Sequence, residues 1–247
     1  MKKLLFFCVA FLSFLMNAQE SEMQFKKIIK LNDLAVENLD NRPKLDSILA
    51  EITIIRDVAA NDEVLQKSKD AIKTIIEYNQ IKDAIVPAND FSILTSQDLK
   101  EFDYRYDKFD KKYIINPMRK GEIYPYLVLT DSGVYLRFVN IYKKNSFIFW
   151  NKARFLYDGK TFEYTDESTR TSSSSSYNRY LGTTTSVTEE SDVFCTKEMI
   201  AFLREITTAT TVEGRLQGKN NYYDYTIGEK TKLRIAKVLE LYDKLKK

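Results

Sequence analysis

The chain has 247 residues and no histidine. That single absence removes Ser-His-Asp and Cys-His nucleophile pairs, His-ligated zinc and an imidazole proton shuttle. Cysteine is nearly as scarce, with Cys8 and Cys195 the only two. A charge excess is lacking as well: 38 Lys and Arg stand against 35 Asp and Glu. Without a basic surplus, nucleic acid is not the expected partner. The sequence also has no Walker loop, G-x-G-x-x-G, calcium loop, CxxC or S-x-x-K, and no asparagine heads an N-linked glycosylation sequon. No cofactor and no metal is therefore expected. A core is not lacking, since 44% of residues are hydrophobic and 30% charged, which is a globular composition.

Residues 1–18, MKKLLFFCVAFLSFLMNA, read as a secretory leader. Lys2 and Lys3 form the basic start, Leu4 to Met16 the apolar stretch, and Ala18 the small residue at a cleavage point before Gln19. Cys8 lies in mid-stretch after Phe6 and Phe7, where no lipid-attachment cysteine sits. Cleavage would leave 229 residues, 36 basic and 35 acidic, with Cys195 as the one thiol. One thiol makes no internal disulfide, and its neighbours Val193 and Phe194 favour a buried, inert side chain over a reactive one. No later segment reaches the ~18 apolar residues of a bilayer span. The expected location is periplasmic or extracellular.

Glycine and aromatic residues divide what remains. All seven glycines lie at or after Gly121; residues 19–100 hold three aromatics and residues 101–247 hold twenty-five. Glycine marks turns and aromatics suit pleated surfaces, so a helical region over 19–86 should precede a strand-rich domain over 111–247, with a connector at 87–110. Leu45, Ile48, Leu49, Ile52, Ile55 and Ala59 share one helical face, and Val64, Leu65, Ser68, Ile72, Ile75 and Ile76 another. Pro43 fits the first turn of one helix and Asn61 caps the next, while Phe25, Ile28, Ile29, Leu34 and Leu39 mark a weaker third. A helical hairpin or three-helix unit follows, with self-association or docking through these helices as the alternative use of their apolar stripes.

Beyond residue 110 the turn chemistry is explicit. Ile123–Leu129 reads as a strand with Pro125 at an edge or strand start. Val134–Tyr142 alternates, Val134, Leu136 and Phe138 against Tyr135, Arg137 and Val139. Phe147–Tyr157 and Thr161–Thr165 flank Asp158-Gly159, a strong hairpin signal. Residues 166–191 carry five consecutive serines and read as a flexible loop, with a binding role for Tyr177, Arg179 and Tyr180 or O-glycan attachment as sharper options. Thr196 caps a helix through Met199, Ile200, Leu203 and Ile206. Strands Thr210–Gln217 and Tyr222–Tyr225 come next, and a final helix after Gly228 packs through Leu233, Ile235, Val238, Leu239, Tyr242 and Leu245. Strands, helix, strands, helix, without alternation, make the fold class α+β with an antiparallel meander and two packed helices.

Tyr157-Asp158-Gly159 with Phe162 and Tyr164, then Gly214-Arg215-Leu216-Gln217-Gly218, Tyr222-Tyr223-Asp224-Tyr225 and Leu233 through Tyr242 carry a resemblance. Residues 112–245 resemble a widespread family of bacterial exported or lipoprotein domains without an assigned activity. The resemblance implies an envelope location and an α+β module, and it supplies no catalytic residues. This chain departs from it in lacking a lipid-attachment cysteine and in carrying the Ser/Thr tract and the N-terminal helices.

Chemistry without histidine leaves carboxylates or a Ser-Lys pair. Glu189, Glu190 and Asp192 cluster beside the serine tract, where a solvated loop explains them better than an active site. Arg215 and Asp224 suit a cross-strand ion pair. Ser68 beside Lys69 falls on a packed helical face. Arg215, Tyr222, Tyr223, Asp224, Trp150, Tyr177 and Tyr180 are the candidate binding residues, with an envelope protein or glycan as partner. The expected function is a non-catalytic binding or scaffolding module; a His-independent hydrolase and a small-ligand carrier are the alternatives.

Overall fold

The computed structural model describes residues 2–38, 41–178, 182–219 and 221–247, with side chains described outside 2–18 and 176–184. The chain divides into two compact units, Met1–Lys82 and Asp83–Lys247. The first is helical: α1 (Lys2–Glu37), α2 (Arg42–Asp57) and α3 (Asp62–Ala84). Asn41 caps α2 by accepting from the Lys44 N–H, with Pro43 in the first turn. Asn61 caps α3 through the Val64 N–H at 2.9 Å. Their shared core joins Ile28, Leu31 and Ala35 of α1, Leu45, Ile48, Ile52 and Ile55 of α2, and Val64, Ala71 and Ile75 of α3. Each large side chain buried there contributes about 1.5–3 kcal/mol. Ile76, expected on the packed face, is instead exposed. The leader read over 1–18 falls within α1 on side chains outside the described residues. Among the described residues no helix is long and apolar enough to cross a membrane.

The second unit is α+β, as expected. Its strands are β1 (Phe102–Asp107), β2 (Lys112–Pro117), β3 (Ile123–Thr130), β4 (Gly133–Lys144), β5 (Trp150–Tyr157), β6 (Lys160–Thr165), β7 (Arg170–Asn178), β8 (Gly182–Phe194), β9 (Val212–Gly218) and β10 (Tyr222–Thr226). Helices α4 (Lys197–Thr208) and α5 (Glu229–Leu245) complete it. Six strands form one sheet in the order β1-β2-β3-β4-β8-β7, and four form another, β10-β9-β5-β6, with every pairing antiparallel. One hydrophobic core joins both sheets and both helices, including Phe138, Trp150, Phe155, Leu203, Leu216 and Val238.

Several elements differ from the sequence reading. Phe102–Asp107, left in the connector 87–110, is strand β1, and Phe91–Ile93 of the same stretch is a short 3-10 turn. Residues 166–191, read as a loop, contain β7 and most of β8, paired from Arg170↔Glu190 to Asn178↔Gly182. The meander does not run on from β4 into β5. The chain leaves the first sheet after Lys144, passes through Phe149 in the left-handed region at φ 51°, and enters the second sheet at Trp150. The crossing is held by Glu189. This fully buried carboxylate accepts from three successive backbone N–H groups: Ile148 at 2.6 Å and Phe149 at 3.0 Å on Oε1, Trp150 at 2.9 Å on Oε2. Such a nest of consecutive amides offsets the cost of burying the charge.

Other local expectations hold in detail. The Asp158-Gly159 turn takes positive φ at both positions, 45° and 80°, the geometry that lets two strands twist together across a two-residue loop. Pro125 sits where the β2–β3 ladder has stopped: the last pair is Ile115↔Leu127, and continuing the register would set Pro117 against Pro125, neither of which has an N–H. Thr196 caps α4 through the Met199 N–H. One expectation fails in α5: Leu233, read as packing the helix, is exposed at 60%, and its neighbour Lys232 is buried at 3% instead. The Lys232 ammonium donates to the Ala209 carbonyl at 2.6 Å and to Glu229 at 2.8 Å, so it neutralises the carbonyl end of α4. Residues 87–89 lie alongside residues 245–247: Ala88 bridges Lys246, the Asn89 N–H donates to the Leu245 carbonyl at 2.7 Å, and the Lys247 N–H to the Pro87 carbonyl at 2.9 Å.

Candidate functional site

Strand alternation divides the four-stranded sheet into two faces. Tyr225, Gly214, Phe155 and Phe162 form one inward row, and Tyr223, Leu216, Ala153 and Tyr164 another. Gly214 is glycine because the Tyr225 ring lies over it: a Cβ there would stand 2.5 Å from a ring carbon. The outward face carries a row of four charges, Asp224, Arg215, Arg154 and Glu163, one from each strand. Thr226, Glu213, Leu156 and Thr161 lie to one side, and Tyr222, Gln217, Lys152 and Thr165 to the other.

The four charges of the row are engaged in ion pairs. Arg215 grips Asp224 with two parallel bonds of 2.6 and 2.7 Å, and its guanidinium lies 4.3 Å from the Tyr222 ring. Glu163 accepts from Lys152 at 2.9 Å and Arg154 at 3.1 Å. Arg215 holds the Asp224 carboxyl below its usual range, and Lys152 followed by Arg154 does the same for Glu163. Among the described residues Glu213 has no ion-pair partner. A surface depression of about 570 Å³ opens here, bounded by Arg154, Leu156, Glu213, Arg215, Asp224 and Thr226. Leu156 is 48% and Tyr222 62% exposed, so apolar contact area lies within reach of the charged row. The face therefore offers paired charge and apolar surface together, an arrangement suited to recognition.

Three of the seven candidate binding residues, Arg215, Tyr222 and Asp224, meet on this face. Tyr223 points the other way, against Tyr142 and Tyr225, with its hydroxyl donating to Glu122. Trp150 corrects the expectation of an exposed aromatic: it is 1% exposed, because β5 starts at the Glu189 clamp and turns its first side chain into the core. Tyr177 lies in β7 with its side chain outside the described residues, and Arg179 and Tyr180 lie outside them altogether. Arg154, Glu163 and Leu156 were not singled out from the sequence. The alternation Lys152, Arg154, Leu156 along β5 was the signal that could have found them.

The remaining chemical candidates have structural roles. Glu189 and Asp192 are not side by side in a solvated loop; they stand on opposite faces of β8, separated by strand alternation. Asp192 binds Arg137 at 2.8 Å and accepts from the Tyr126 hydroxyl at 3.1 Å. Ser68 is fully buried and donates to the Val64 carbonyl at 2.7 Å. Cys195 is buried, and loss of hydration drives its thiol far above its ordinary range. Among the described residues no three Cys, Asp or Glu side chains gather as a metal-binding group. Compared with known proteins, the chain matches no family model, no curated protein and no solved structure.

Proposed function

We propose that the chain is an exported cell-envelope protein, released from its leader near Ala18, whose strand-rich unit is a non-catalytic binding or scaffolding module. Its partner, an envelope protein or glycan, docks on the outward face of the four-stranded sheet. The observation that carries this reading is the pairing of charge on that face beside exposed Leu156 and Tyr222. A general acid needs a carboxyl whose proton is retained near neutral pH. Asp224 and Glu163 are shifted the opposite way by their arginine and lysine partners, which keeps them ionised and suits them to recognition.

The test is site-specific photo-crosslinking in intact cells. A photoreactive residue at Leu156 or Thr226 should capture a partner of discrete mass that the same residue at Lys197, an exposed position at the start of α4, does not. Equal capture at all three positions removes the docking face. Sequencing of the exported chain should begin at Gln19, and retention of the whole chain in the cytoplasm removes the location.

A further inference from the structure

We propose that two copies of the chain pair edge to edge through β1, joining their six-stranded sheets across a two-fold axis at Tyr104. The inference is independent of the partner proposed for the outward face of the other sheet. β1 is the last strand of its sheet, with β2 on one side and no strand on the other. Its free edge has a definite phase. The Met118 N–H donates to the Glu101 carbonyl at 3.0 Å, in register with the β1–β2 ladder. Odd-numbered residues of β1 therefore turn their backbone groups toward β2, and Tyr104 and Tyr106 turn theirs outward. The Phe102 N–H is already donated to Leu99.

An antiparallel partner must place outward-facing residues opposite one another, so even positions pair with even. Pairing of identical strands about a two-fold then leaves few registers. With Tyr104 opposite Tyr104 of the second copy, Asp103 meets Arg105 of the second copy, and Arg105 meets its Asp103. A slip of two residues either way puts Asp103 on Asp103 or Arg105 on Arg105. Both side chains are exposed, and among the described residues neither has an ion-pair partner in its own chain. At the ends Glu101 faces Asp107 of the second copy, but Glu101 is engaged by Lys237, and Asp107 accepts from the N–H groups of Phe109 and Asp110.

The opposite face of the hairpin adds aromatic contact. Tyr104 and Tyr106 are 49% and 53% exposed. The Tyr106 ring lies 4.8 Å from Tyr113, which stacks on Phe91 at 4.1 Å. The same register sets the two exposed Tyr104 rings side by side across the axis; Tyr106 lies opposite Phe102 of the second copy, whose ring is buried in its own core. The three other edges differ. Centring β10 on itself puts Asp224 against Asp224, the serine run of β7 specifies no register, and in β6 the Glu163 carboxylate is already held by Lys152 and Arg154.

One pair of short strands makes a small interface, so the dimer is weak and concentration-dependent. Sedimentation equilibrium on the full chain from about 10 µM to about 1 mM should show monomer passing to dimer. Asp103→Arg and Arg105→Asp, each placing like charges together twice, should weaken the dissociation constant about tenfold. The double reversal restores complementarity and should return it to within about threefold of the parent. In a Cys8→Ser background, Tyr104→Cys should yield an oxidised covalent dimer and Asp103→Cys should not, since the register separates the latter beyond disulfide reach. A monomer at all concentrations overturns the proposal. So does a dimer indifferent to either single reversal, as pairing through the N-terminal helices would give, or a double reversal no better than the singles.

Discussion

Replacing Glu189 by Gln leaves shape almost unchanged and tests the clamp that carries the chain from one sheet to the other. The carboxylate satisfies three backbone N–H groups. A glutamine has one acceptor oxygen. Its better orientation keeps that oxygen on Ile148 and Phe149 and turns its NH2 toward the Trp150 N–H, so two donors face each other in the interior. Converting two charge-assisted bonds to neutral ones costs about 1 kcal/mol each, and a stranded buried donor about 1–3 kcal/mol more. The expected loss is about 3–5 kcal/mol, or about 10 °C in Tm for a unit of this size. Trp150 is the only tryptophan, it is buried, and it adjoins the clamp. Urea unfolding followed by its fluorescence therefore reads the strand-rich unit and not the N-terminal helices α1–α3. Glu190→Gln, one residue along and pointing away, should stay within about 0.5 kcal/mol of the parent. A Glu189→Gln protein within about 1 kcal/mol of the parent would refute the reasoning.

Asp243 ties α5 to α4 by accepting two bonds from Arg204, of 2.8 and 2.7 Å. Arg204, with Lys246, lowers its carboxyl from 3.8 to about 2. A lowered folded-state value means the contribution is complete above about pH 4 and fades as pH falls through 2. Asp243→Asn should thus cost about 1 kcal/mol at pH 7, after allowance for its solvent exposure, and clearly less at pH 2, where the carboxyl is about half protonated in the folded state; an equal deficit at both pH values, by urea midpoint, contradicts the linkage. Gly214→Ala pushes a methyl into the Tyr225 ring and should cost about 2 kcal/mol in the same titration, and a neutral result means the ring is not fixed. In a chain lacking residues 1–18, a thiol reagent should find no fast-reacting group in buffer and Cys195 only in urea; rapid labelling in buffer rejects its burial. A double-mutant cycle on Arg215 and Asp224, an exposed pair, should show little coupling in stability, so that variants with lost partner capture remain folded; a large coupling contradicts this.

Much of this was legible from spacing. Leu45, Ile48, Ile52 and Ile55 announce their helix because a 3.6-residue period needs no partner to be recognised. Asp158-Gly159 and the Arg215–Asp224 pair were readable because turn dihedrals and cross-strand register are local properties. β7 was not. Its described side chains from Thr171 to Ser175 are all exposed, so it shows no apolar alternation and is held by its backbone ladder to β8. Glu189, Trp150 and Lys232 failed for another reason. Each is decided by a group far off in the chain, 39–41 residues away for the Glu189 amides and 23 for the carbonyl that Lys232 reaches. The site divided in the same way: Arg215, Asp224 and Tyr222 sit on adjacent strands of one hairpin, whereas Arg154 and Glu163 join them only once β5 pairs with β9.

The seam between residues 87–89 and 245–247 makes the strand-rich unit a closed circuit. Its first and last backbone segments are hydrogen-bonded side by side although roughly 160 residues separate them, the most distant contacts in sequence that it makes. Such a unit behaves as a cassette. Joining residue 247 to residue 83 with a short linker and opening the chain at the Asp158-Gly159 turn should leave its architecture intact. On the ribosome the seam cannot form until residue 247 has been added. A chain stopped before residue 245 lacks the partners that Pro87, Ala88 and Asn89 bond to, and this seam stays unmade.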